Sequence, residues 1–370
     1  MKSIIRNKII EFLDIVPLAK NLARKKFISD FLTGLLESKK VQFQEIALHI
    51  DSPAKNESIE RKIQYFFNDY EFDYEQVYLL LILFLPKGRV SLSIDRTEWD
   101  FGVYQCNILM IVAKNGKVGI PLYRELLDNK SGDSNCDDRI DLLEKVVKIL
   151  GKDRINMIVG DSEFIGLKWI KYLKINDINY CMRVPKSHSI TLKNGEIYFI
   201  AQLLKDKTER YFEGCMVDGV WGNTMMKRLS DGDFLFLIGN FPAKQLGGFY
   251  RRRWCIEVLF QTFKERGFDL ESTHLKCDKK LSKLLVFVSI AVAICVKVGE
   301  CHHKKVQKIK IKKHGCQAKS FFRKGLDILR EAFKKPSTEL TNFCLECLRT
   351  FERWIRIQTS YNQIVIKIFG

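Results

Sequence analysis

Four side chains that can do phosphate chemistry share one face of a helix predicted over YRRRWCIEVLFQTFKERG, residues 250–267. They are Tyr250, Arg253, Glu257 and Lys264. Offsets of three, four and seven residues lie along one side of a helix that turns once per 3.6 residues. A carboxylate can hold a metal ion, and guanidinium, ammonium and phenol groups can hold phosphates. The alternative is a solvated face on which Arg253 and Glu257 form an ordinary i,i+4 pair.

Two aspartates are predicted to end apolar strands. Asp95 ends LSID and Asp161 ends IVGD, and the carboxyl ends of strands are where sheets collect functional groups. Together with Glu257 they would give three hard oxygen ligands at one sheet edge, which suits Mg²⁺. Two such ions can activate the attacking oxygen and stabilise the leaving oxygen in phosphodiester cleavage. A turn cap or a surface role is the alternative for each acid, and spacing does not exclude the neighbouring acids Glu98, Asp100 and Glu163.

The elements that must position these residues follow from the pattern of apolar residues. Residues 1–86 read as helices, and FQEIALHIDSPAKNESIERKIQYFFNDY predicts a helix-turn-helix-like DNA-binding unit or a plain helical bundle. After Pro86 three strands are predicted, the last two joined by the Asn-Gly turn at 115–116. Helices and strands then alternate, which predicts a mixed α/β sheet covered by helices. Residues 186–241 are β-like again, and the chain is helical from about 270.

The net charge and the apolar segments indicate which class of partner the protein binds. The 370 residues carry a net charge of +18, with KKVQKIKIKK at 304–313, and such a field favours a polyanion or an anionic membrane surface. The apolar runs 77–86 and 284–296 are too short to span a bilayer and are predicted to be buried helices. The N-terminus shows no clean signal-peptide pattern. Nucleic acid is therefore the favoured partner, and no membrane partner is expected.

Eleven cysteines lie scattered among apolar residues. With no signal peptide, free and mostly buried thiols in a reducing cytoplasm are expected. The lone CLEC at 344–347 is weak evidence for zinc. The CHH at 301–303 and HGC at 314–316 have ligand types for a metal site, but their spacing matches no zinc motif.

Tyr250, Arg253, Glu257 and Lys264 are separated by two, three and six intervening residues. These intervals match the Y-(2)-R-(3)-E-(6)-K signature of the IS4 family of DDE transposases, which the chain resembles. SIDRTEWDFG at 93–102 resembles the region of that family's first aspartate, and IVGDSEFIG at 158–166 the region of its second. IPLYRELLDNKSGDSNCDDR at 120–139 resembles the segment that follows the first aspartate. The resemblance covers residues 90–275. Ser162 stands where many relatives have Arg, which alters a local salt bridge but removes no ligand.

This resemblance implies an α/β fold of the RNase H-like (retroviral integrase-like) type with a β-rich insertion, flanked by helical N- and C-terminal regions. Asp95, Asp161 and Glu257 would be the catalytic metal ligands, holding two Mg²⁺ ions for which Mn²⁺ can substitute. Tyr250, Arg253 and Lys264 would hold phosphates at the transposon end, and Trp254 the distorted DNA end. Trp221, in the insertion, would stack on a flipped base. Core packing is the alternative for both tryptophans.

The expected organisation is a helical DNA-binding region at 1–88, a catalytic core at 89–185 and 243–275, an insertion at 186–242, and a basic helical region at 276–370 for DNA binding or dimerisation. The resemblance implies cut-and-paste transposition of an insertion sequence: end nicking, a hairpin intermediate, and strand transfer by the 3′-OH. The partners would be double-stranded DNA, both terminal inverted repeats and target, and a second subunit in a synaptic homodimer. The alternatives are a catalytically inactive or domesticated sequence-specific DNA-binding protein and an RNase H-fold nuclease without strand transfer.

Overall fold

A computed structural model describes residues 6–347, apart from 8, 12, 14–17, 102–103, 130, 206, 265, 314, 316, 335–338 and 341. For Asp100 and Phe101 it describes the backbone alone. Strands and helices are both present, and the strands pair into a large sheet. The mixed α/β prediction is therefore confirmed.

Ten strands form this sheet, in the order β3-β2-β1-β4-β5-β10-β9-β8-β6-β7. Their bounds are β1 Val90–Phe101, β2 Tyr104–Asn115, β3 Val118–Leu127, β4 Ile155–Gly160, β5 Tyr180–Arg183, β6 Ser189–Thr191, β7 Ile197–Phe199, β8 Glu209–Val217, β9 Val220–Arg228 and β10 Phe234–Gly239.

Strand directions divide the sheet into two parts. The first three strands form an antiparallel meander, with the predicted Asn-Gly turn between β2 and β3, and β4 and β5 run parallel to β1. The predicted β-rich segment does not form a sheet of its own. Its strand β10 pairs antiparallel with β5, so that β6–β10 extend the same sheet.

In the described residues, helices cover the sheet and form the segments before and after it. Their bounds are α1 Leu22–Ser38, α2 Phe43–Ala47, α3 Asn56–Asp69, α4 Tyr74–Ile82, α5 Cys136–Leu150, α6 Leu167–Ile175, α7 Ile200–Leu203, α8 Leu246–Tyr250, α9 Trp254–Phe263, α10 Asp278–Lys305 and α11 Phe321–Lys334. The pair α2–α3 is the helix, turn and helix predicted near the N-terminus.

The helix predicted over 250–267 is interrupted and shorter than expected. Tyr250 ends α8, residues Arg251–Arg253 form a 3₁₀ turn, and α9 stops at Phe263. The backbone of Tyr250 and Arg253 keeps right-handed helical angles through this junction. The turn therefore preserves the common face of Tyr250, Arg253 and Glu257, but Lys264 lies beyond the helix, with φ −77° and ψ −141°.

The N-terminal helices pack on α10 through an aromatic cluster. The Phe287 ring of α10 lies 4.2 Å from Phe31 and 5.7 Å from Phe67, measured between centroids. Lys283 of the same helix is buried, with 1% of its side chain exposed, and donates to the Phe67 carbonyl oxygen at 3.1 Å and to Glu71 at 2.9 Å. Buried residues before and after residue 88 belong to the same hydrophobic core.

The helix α10 contains the apolar run 284–296. Within the described residues it is long and apolar enough to cross a membrane by length and composition alone. However, 89% of its most apolar window is buried inside the protein. The run is therefore a buried core helix, as the sequence predicted, although the helix around it has 28 residues.

Glycines allow α10 and α11 to cross at close range. A Cβ atom on Gly299 would lie 1.9 Å from the Phe321 carbonyl oxygen, and one on Gly325 would lie 1.8 Å from that of Cys295. Both contacts are far inside van der Waals distance, so only glycine fits at either position. The crossing attaches the C-terminal helix to the central one.

We expect Phe287→Ala to lower the free energy of unfolding by about 3–5 kcal/mol, because it removes a buried ring from a packed aromatic cluster. Phe199→Ala is the matched control, since that ring is 52% exposed, and should change stability by less than about 0.5 kcal/mol. Urea denaturation followed by circular dichroism measures both. A loss below about 1 kcal/mol for Phe287→Ala would show that the N-terminal helices do not share a core with α10.

Candidate active site

Three carboxylates from three separate elements meet at the guanidinium of Arg253. Its Nη1 atom donates to Asp95 Oδ2 at 2.8 Å, and its Nη2 atom lies 3.4 Å from Asp161 Oδ2. Nη2 also donates to Glu257 Oε1, one helical turn along the chain. The predicted acids Asp95, Asp161 and Glu257 are therefore brought together, and the cation among them comes from the same predicted stripe.

Strand pairing explains why the two aspartates share an edge. Asp161 directly follows β4, as predicted. Asp95 does not end its strand: β1 continues to Phe101, and Asp95 pairs with Met110 of β2. On its other side, β1 pairs with β4 only as far as Ser93 opposite Val159. Asp95 thus lies just beyond the end of the parallel pairing, level with Asp161.

Each aspartate is oriented by its own backbone. The N–H of Arg96 donates to Asp95 Oδ1 at 2.9 Å, and the N–H of Ser162 donates to Asp161 Oδ1 at 2.7 Å. These bonds fix one oxygen of each carboxylate and leave both Oδ2 atoms directed at Arg253. In both aspartates, one carboxylate oxygen is therefore held by the N–H of the following residue.

Helix α9 places Glu257 by burying the residues around it. Ile256, Leu259 and Phe263 are fully buried, and the helix packs on β1, β2 and β3. The Ser93 hydroxyl lies 3.5 Å from the Cys255 sulfur atom, which ties the start of the helix to β1. With its apolar side fixed on the sheet, the helix must direct Glu257 towards the edge that carries the aspartates.

Two further groups contact Asp161. The Tyr250 hydroxyl donates to its Oδ1 at 3.2 Å, and the Arg253 guanidinium stacks on the Tyr250 ring at 5.6 Å. Arg183 Nη1 lies 3.8 Å from the same Oδ1. Sequence reasoning missed Arg183, because only the pairing of β5 with β4 brings the end of β5 close to Asp161. Arg183 provides a second cation near Asp161.

The neighbouring acids that spacing could not exclude have other partners. Glu98 pairs with Arg96 and accepts from the N–H of Gly132 at 3.0 Å. Glu163 also pairs with Arg96, at 3.1 Å, and accepts from both the N–H and the hydroxyl of Ser134. These bonds fasten the loop before α5 beside the site. The side chain of Asp100 is outside the described residues.

Burial changes the acidity of the cluster. It raises the pKa of Asp95 to about 6, and the Arg253 charge offsets this only in part. Burial also raises the pKa of the Tyr250 hydroxyl, so that it remains a proton donor at neutral pH. The surrounding anionic groups raise the pKa of Arg253 despite the opposing effect of burial, which keeps the guanidinium charged.

Three further residues were predicted to contact DNA: Lys264, Trp254 and Trp221. Lys264 is not part of the carboxylate cluster and pairs with Glu271 at 2.8 Å. Trp254 is 59% exposed and Trp221 is 47% exposed, so core packing explains neither. Trp221 lies in β9, and its carbonyl oxygen accepts from Lys174 at 2.6 Å.

The donor types at the site fit a divalent cation such as Mg²⁺, since three carboxylates supply hard oxygen atoms. As arranged, no group of three or more His, Cys, Asp or Glu side chains within the described residues could hold a metal ion. At the point where the three carboxylates meet, their partner is the guanidinium of Arg253.

The described residues give no support to the other candidate metal site, CHH at 301–303 with HGC at 314–316. Cys301 is buried, and His303 Nδ1 accepts from the backbone N–H of Ile309 at 2.9 Å. His314 and Cys316 are outside the described residues. The cysteines of CLEC, Cys344 and Cys347, are buried. In the described part of the chain all ten cysteines are free thiols, as the sequence predicted.

The sheet and the carboxylate cluster define the class of protein as a mixed α/β domain with an acidic site at its edge. Residues 115–294 match a family described as "Transposase DDE domain". This segment contains Asp161 and Glu257, begins after Asp95, and covers slightly less than half of the 370 residues. The match supports a DDE transposase in general terms and does not decide the subfamily.

Among solved structures, the chain is similar to a piggyBac transposase determined by cryo-electron microscopy as a synaptic complex with hairpin DNA. The two are 12% identical, with 94% of this chain and 82% of that chain covered and a TM-score of 0.40. A likeness of that size is too weak to bear on fold or function. No curated protein matches the chain.

We expect Asp95→Asn to stabilise the metal-free protein, more at pH 8 than at pH 5. The folded-state pKa of about 6 lies above the ordinary 3.8, so the charge of Asp95 opposes folding increasingly as pH rises from about 4 to 6 and fully above that. The gain at pH 8 should exceed that at pH 5 by about 1 kcal/mol. Denaturation in EDTA at both pH values measures this. An equal gain at both pH values, or a loss at pH 8, would show that Arg253 outweighs burial.

Proposed function

We propose that this protein is a DDE transposase of the IS4 type that moves an insertion sequence by cut-and-paste DNA transposition. One observation carries the proposal: Asp95, Asp161 and Glu257 converge, and Tyr250 and Arg253 of the same signature contact them. The family match over residues 115–294 agrees with it. The finer family assignment rests on the Y-R-E-K intervals in the sequence.

The strand order supports an RNase H-like core. Strands β1–β3 form an antiparallel meander, followed by β4 and β5 parallel to β1 in the order 3-2-1-4-5. The strands of the insertion join this sheet at β5 and end before the helix that carries Glu257. In this proposal the core comprises residues 89–185 and 243–275, with the insertion between them.

We assign the metal ligands to Asp95, Asp161 and Glu257. Bound Mg²⁺ or Mn²⁺ would supply Lewis-acid chemistry at the scissile phosphate and its attacking and leaving oxygens. The chain itself orients both aspartates through the N–H groups of the following residues and holds Glu257 on a helix buried against the sheet. These supports keep the carboxylates in position before any ligand arrives.

The DNA end would be held by residues next to the carboxylates. Tyr250 can donate to a phosphate, Arg253 can fork onto one, and Lys264 can act as a point charge. Trp254, being exposed, is free to contact the distorted end. The net charge of +18 would attract DNA over the whole surface.

The flanking helical regions would bind DNA and pair two subunits. On α3 the side chains of Arg61, Lys62 and Tyr65 are exposed, as DNA contact requires. The Lys-rich segment 304–313 follows α10 on the C-terminal side. A synaptic homodimer that holds two terminal inverted repeats, and its action in the cytoplasm, are proposed from the resemblance and not from contacts of this chain.

Trp221 is proposed to stack on a base flipped out during second-strand cleavage through a hairpin. The turn before it contacts the start of α6, because Gly219 lies beside the Leu167 side chain. Helix α6 begins shortly after Asp161. The exposed indole is therefore attached, through this contact, to the segment that carries a proposed metal ligand.

We expect the purified protein to cut labelled DNA taken from the flanks of its own gene, at one position and only with Mg²⁺ or Mn²⁺. Glu257→Gln should lower the cleavage rate at least about 100-fold, because losing one carboxylate ligand costs several kcal/mol of transition-state stabilisation. The control is Glu331→Gln, an exposed glutamate of α11, which should cut normally. Denaturing gels show the nick, the hairpin and the strand-transfer product separately.

Other outcomes would favour the alternatives. Salt-sensitive binding of the ends without cleavage in Mg²⁺ or Mn²⁺ would leave a DNA-binding relic as the better description. Cleavage with no joining of the 3′-OH to a second DNA would identify a nuclease of the same fold.

We expect Trp221→Ala to reduce hairpin formation about tenfold while the first nick continues, because stacking on the flipped base contributes about 1–3 kcal/mol. A substrate whose base is already unpaired should restore the hairpin, since unstacking then costs less. Phe199→Ala, an exposed ring in the same insertion, is the matched control. Equal loss of nick and hairpin would contradict a stacking role.

A further inference from the structure

Arg253 contacts the carboxylates in the structure, and the proposed function gives it a second task. In the structure both of its Nη atoms are engaged with the three carboxylates of the site. The proposed function needs the same side chain on a DNA phosphate. The Arg253 side chain is 13% exposed, so reaching a phosphate requires it to leave the carboxylates.

The oxygens that Arg253 contacts are the ones that a metal ion would need. On each aspartate Oδ1 accepts the N–H of the next residue, and Oδ2 is the atom directed at Arg253. The third contact, Glu257 Oε1, is made by the same Nη2 atom that lies near Asp161. The guanidinium therefore marks the point where the oxygen donors converge.

We propose that Arg253 is an internal cation that competes with the metal ion for the three carboxylates, and that a DNA phosphate releases it. The inference rests on the proposed function, because it takes the carboxylates as metal ligands and the arginine as a phosphate contact. Three carboxylates close together repel one another unless a cation lies among them. Arg253 supplies that charge before DNA binds.

Metal binding and DNA binding are then linked through one side chain. A phosphate that draws Arg253 away leaves three carboxylates without their cation, which raises their affinity for a divalent ion. By reciprocity, a divalent ion that displaces Arg253 frees it for phosphate and strengthens DNA binding by the same factor. The protein would thus hold metal weakly until a DNA end is in place.

The neighbouring Arg183 provides a control for simple charge effects. Its Nη1 atom lies 3.8 Å from Asp161 Oδ1, and its Nη2 atom lies 3.6 Å from Asp233 Oδ2. Arg183 is therefore a second cation, besides Arg253, that lies close to one of the three carboxylates. However, the nearest atom of Asp161 to Arg183 is Oδ1, and no ion pair between Arg183 and Asp95 or Glu257 is found among the described residues. Removing the charge of Arg183 should change the electrostatic field at the three carboxylates, while the Arg253 guanidinium stays between them.

The first experiment measures Mn²⁺ binding to DNA-free protein by titration calorimetry at fixed ionic strength. Arg253→Gln should bind Mn²⁺ at least about tenfold more tightly than the unsubstituted protein, within the usual range of coupling between sites. Arg183→Gln should bind less than about threefold more tightly. Arg253→Lys, which keeps a charge but lacks the planar fork, should lie between the unsubstituted protein and Arg253→Gln.

The second experiment measures the reciprocal effect with Ca²⁺ and a short fluorescent duplex carrying the end sequence. Ca²⁺ at constant ionic strength should strengthen DNA binding of the unsubstituted protein and of Arg183→Gln at least about fivefold. Arg253→Gln should bind DNA more weakly throughout, and its affinity should change less than about twofold with Ca²⁺. Fluorescence anisotropy gives each dissociation constant.

The failure of this inference and the failure of the proposed function are distinguishable. Equal Mn²⁺ affinity of Arg253→Gln and the unsubstituted protein, or an equal gain in Arg183→Gln, would overturn the competition while metal-dependent cleavage still stood. Retained Ca²⁺ enhancement of DNA binding in Arg253→Gln would overturn the linkage. If Asp95→Asn and Glu257→Gln bound Mn²⁺ as the unsubstituted protein does, with and without DNA, these carboxylates would not be metal ligands and the proposed function would fail with them.

Discussion

The gathering of three carboxylates around one guanidinium is the constraint on which the site depends. Placing Asp95, Asp161 and Glu257 within reach of one another is unfavourable because like charges repel and burial removes water from them. The raised pKa of Asp95 is a direct sign of that cost. Arg253 offsets it from within the same helical segment as Glu257, so the acids and their counter-charge are brought together by one packing event.

That packing event is the docking of α9 on the sheet. The helix buries Ile256, Leu259 and Phe263 against β1–β3, and its rotation about its own axis then decides where Glu257 points. The aspartates come from adjacent strands whose parallel pairing ends two residues before each of them. The carboxylate site is thus an outcome of strand register on one side and helix burial on the other.

The central helix α10 extends this rigidity to both ends of the chain. Its Phe287 lies among the aromatic rings of the N-terminal helices, and its Gly299 lets α11 approach at backbone distance. The site segment and the flanking helices therefore belong to one continuous hydrophobic core. In the proposed function, the DNA-contacting regions would have to stay fixed relative to the three carboxylates, and such a core can provide this.

Local sequence determined a large part of this structure. The alternation of apolar residues predicted strands of the sheet, and the Asn115–Gly116 turn predicted the hairpin between β2 and β3. The Y-R-E-K intervals predicted a common helix face, which Tyr250, Arg253 and Glu257 share and Lys264 does not. These features depend on residues close together in the chain, where backbone geometry alone sets which side chains align. The acids Asp95, Asp161 and Glu257 could be named, but Glu98 and Glu163 could not be excluded.

Only the tertiary structure shows which of the candidate acids lie together and that the Arg253 guanidinium lies between them. Glu163 is engaged by Arg96, and Glu98 and Glu163 are both engaged by the loop before α5, through contacts that join residues about 30 or more positions apart. Arg183 reaches Asp161 because β5 lies beside β4, and the insertion strands continue the sheet because β10 pairs with β5. Spacing in the sequence carries no information on such contacts, since strand order and helix rotation are set by how the whole core packs. For the same reason the sequence could place Arg253 beside Glu257, but not at the centre of all three carboxylates.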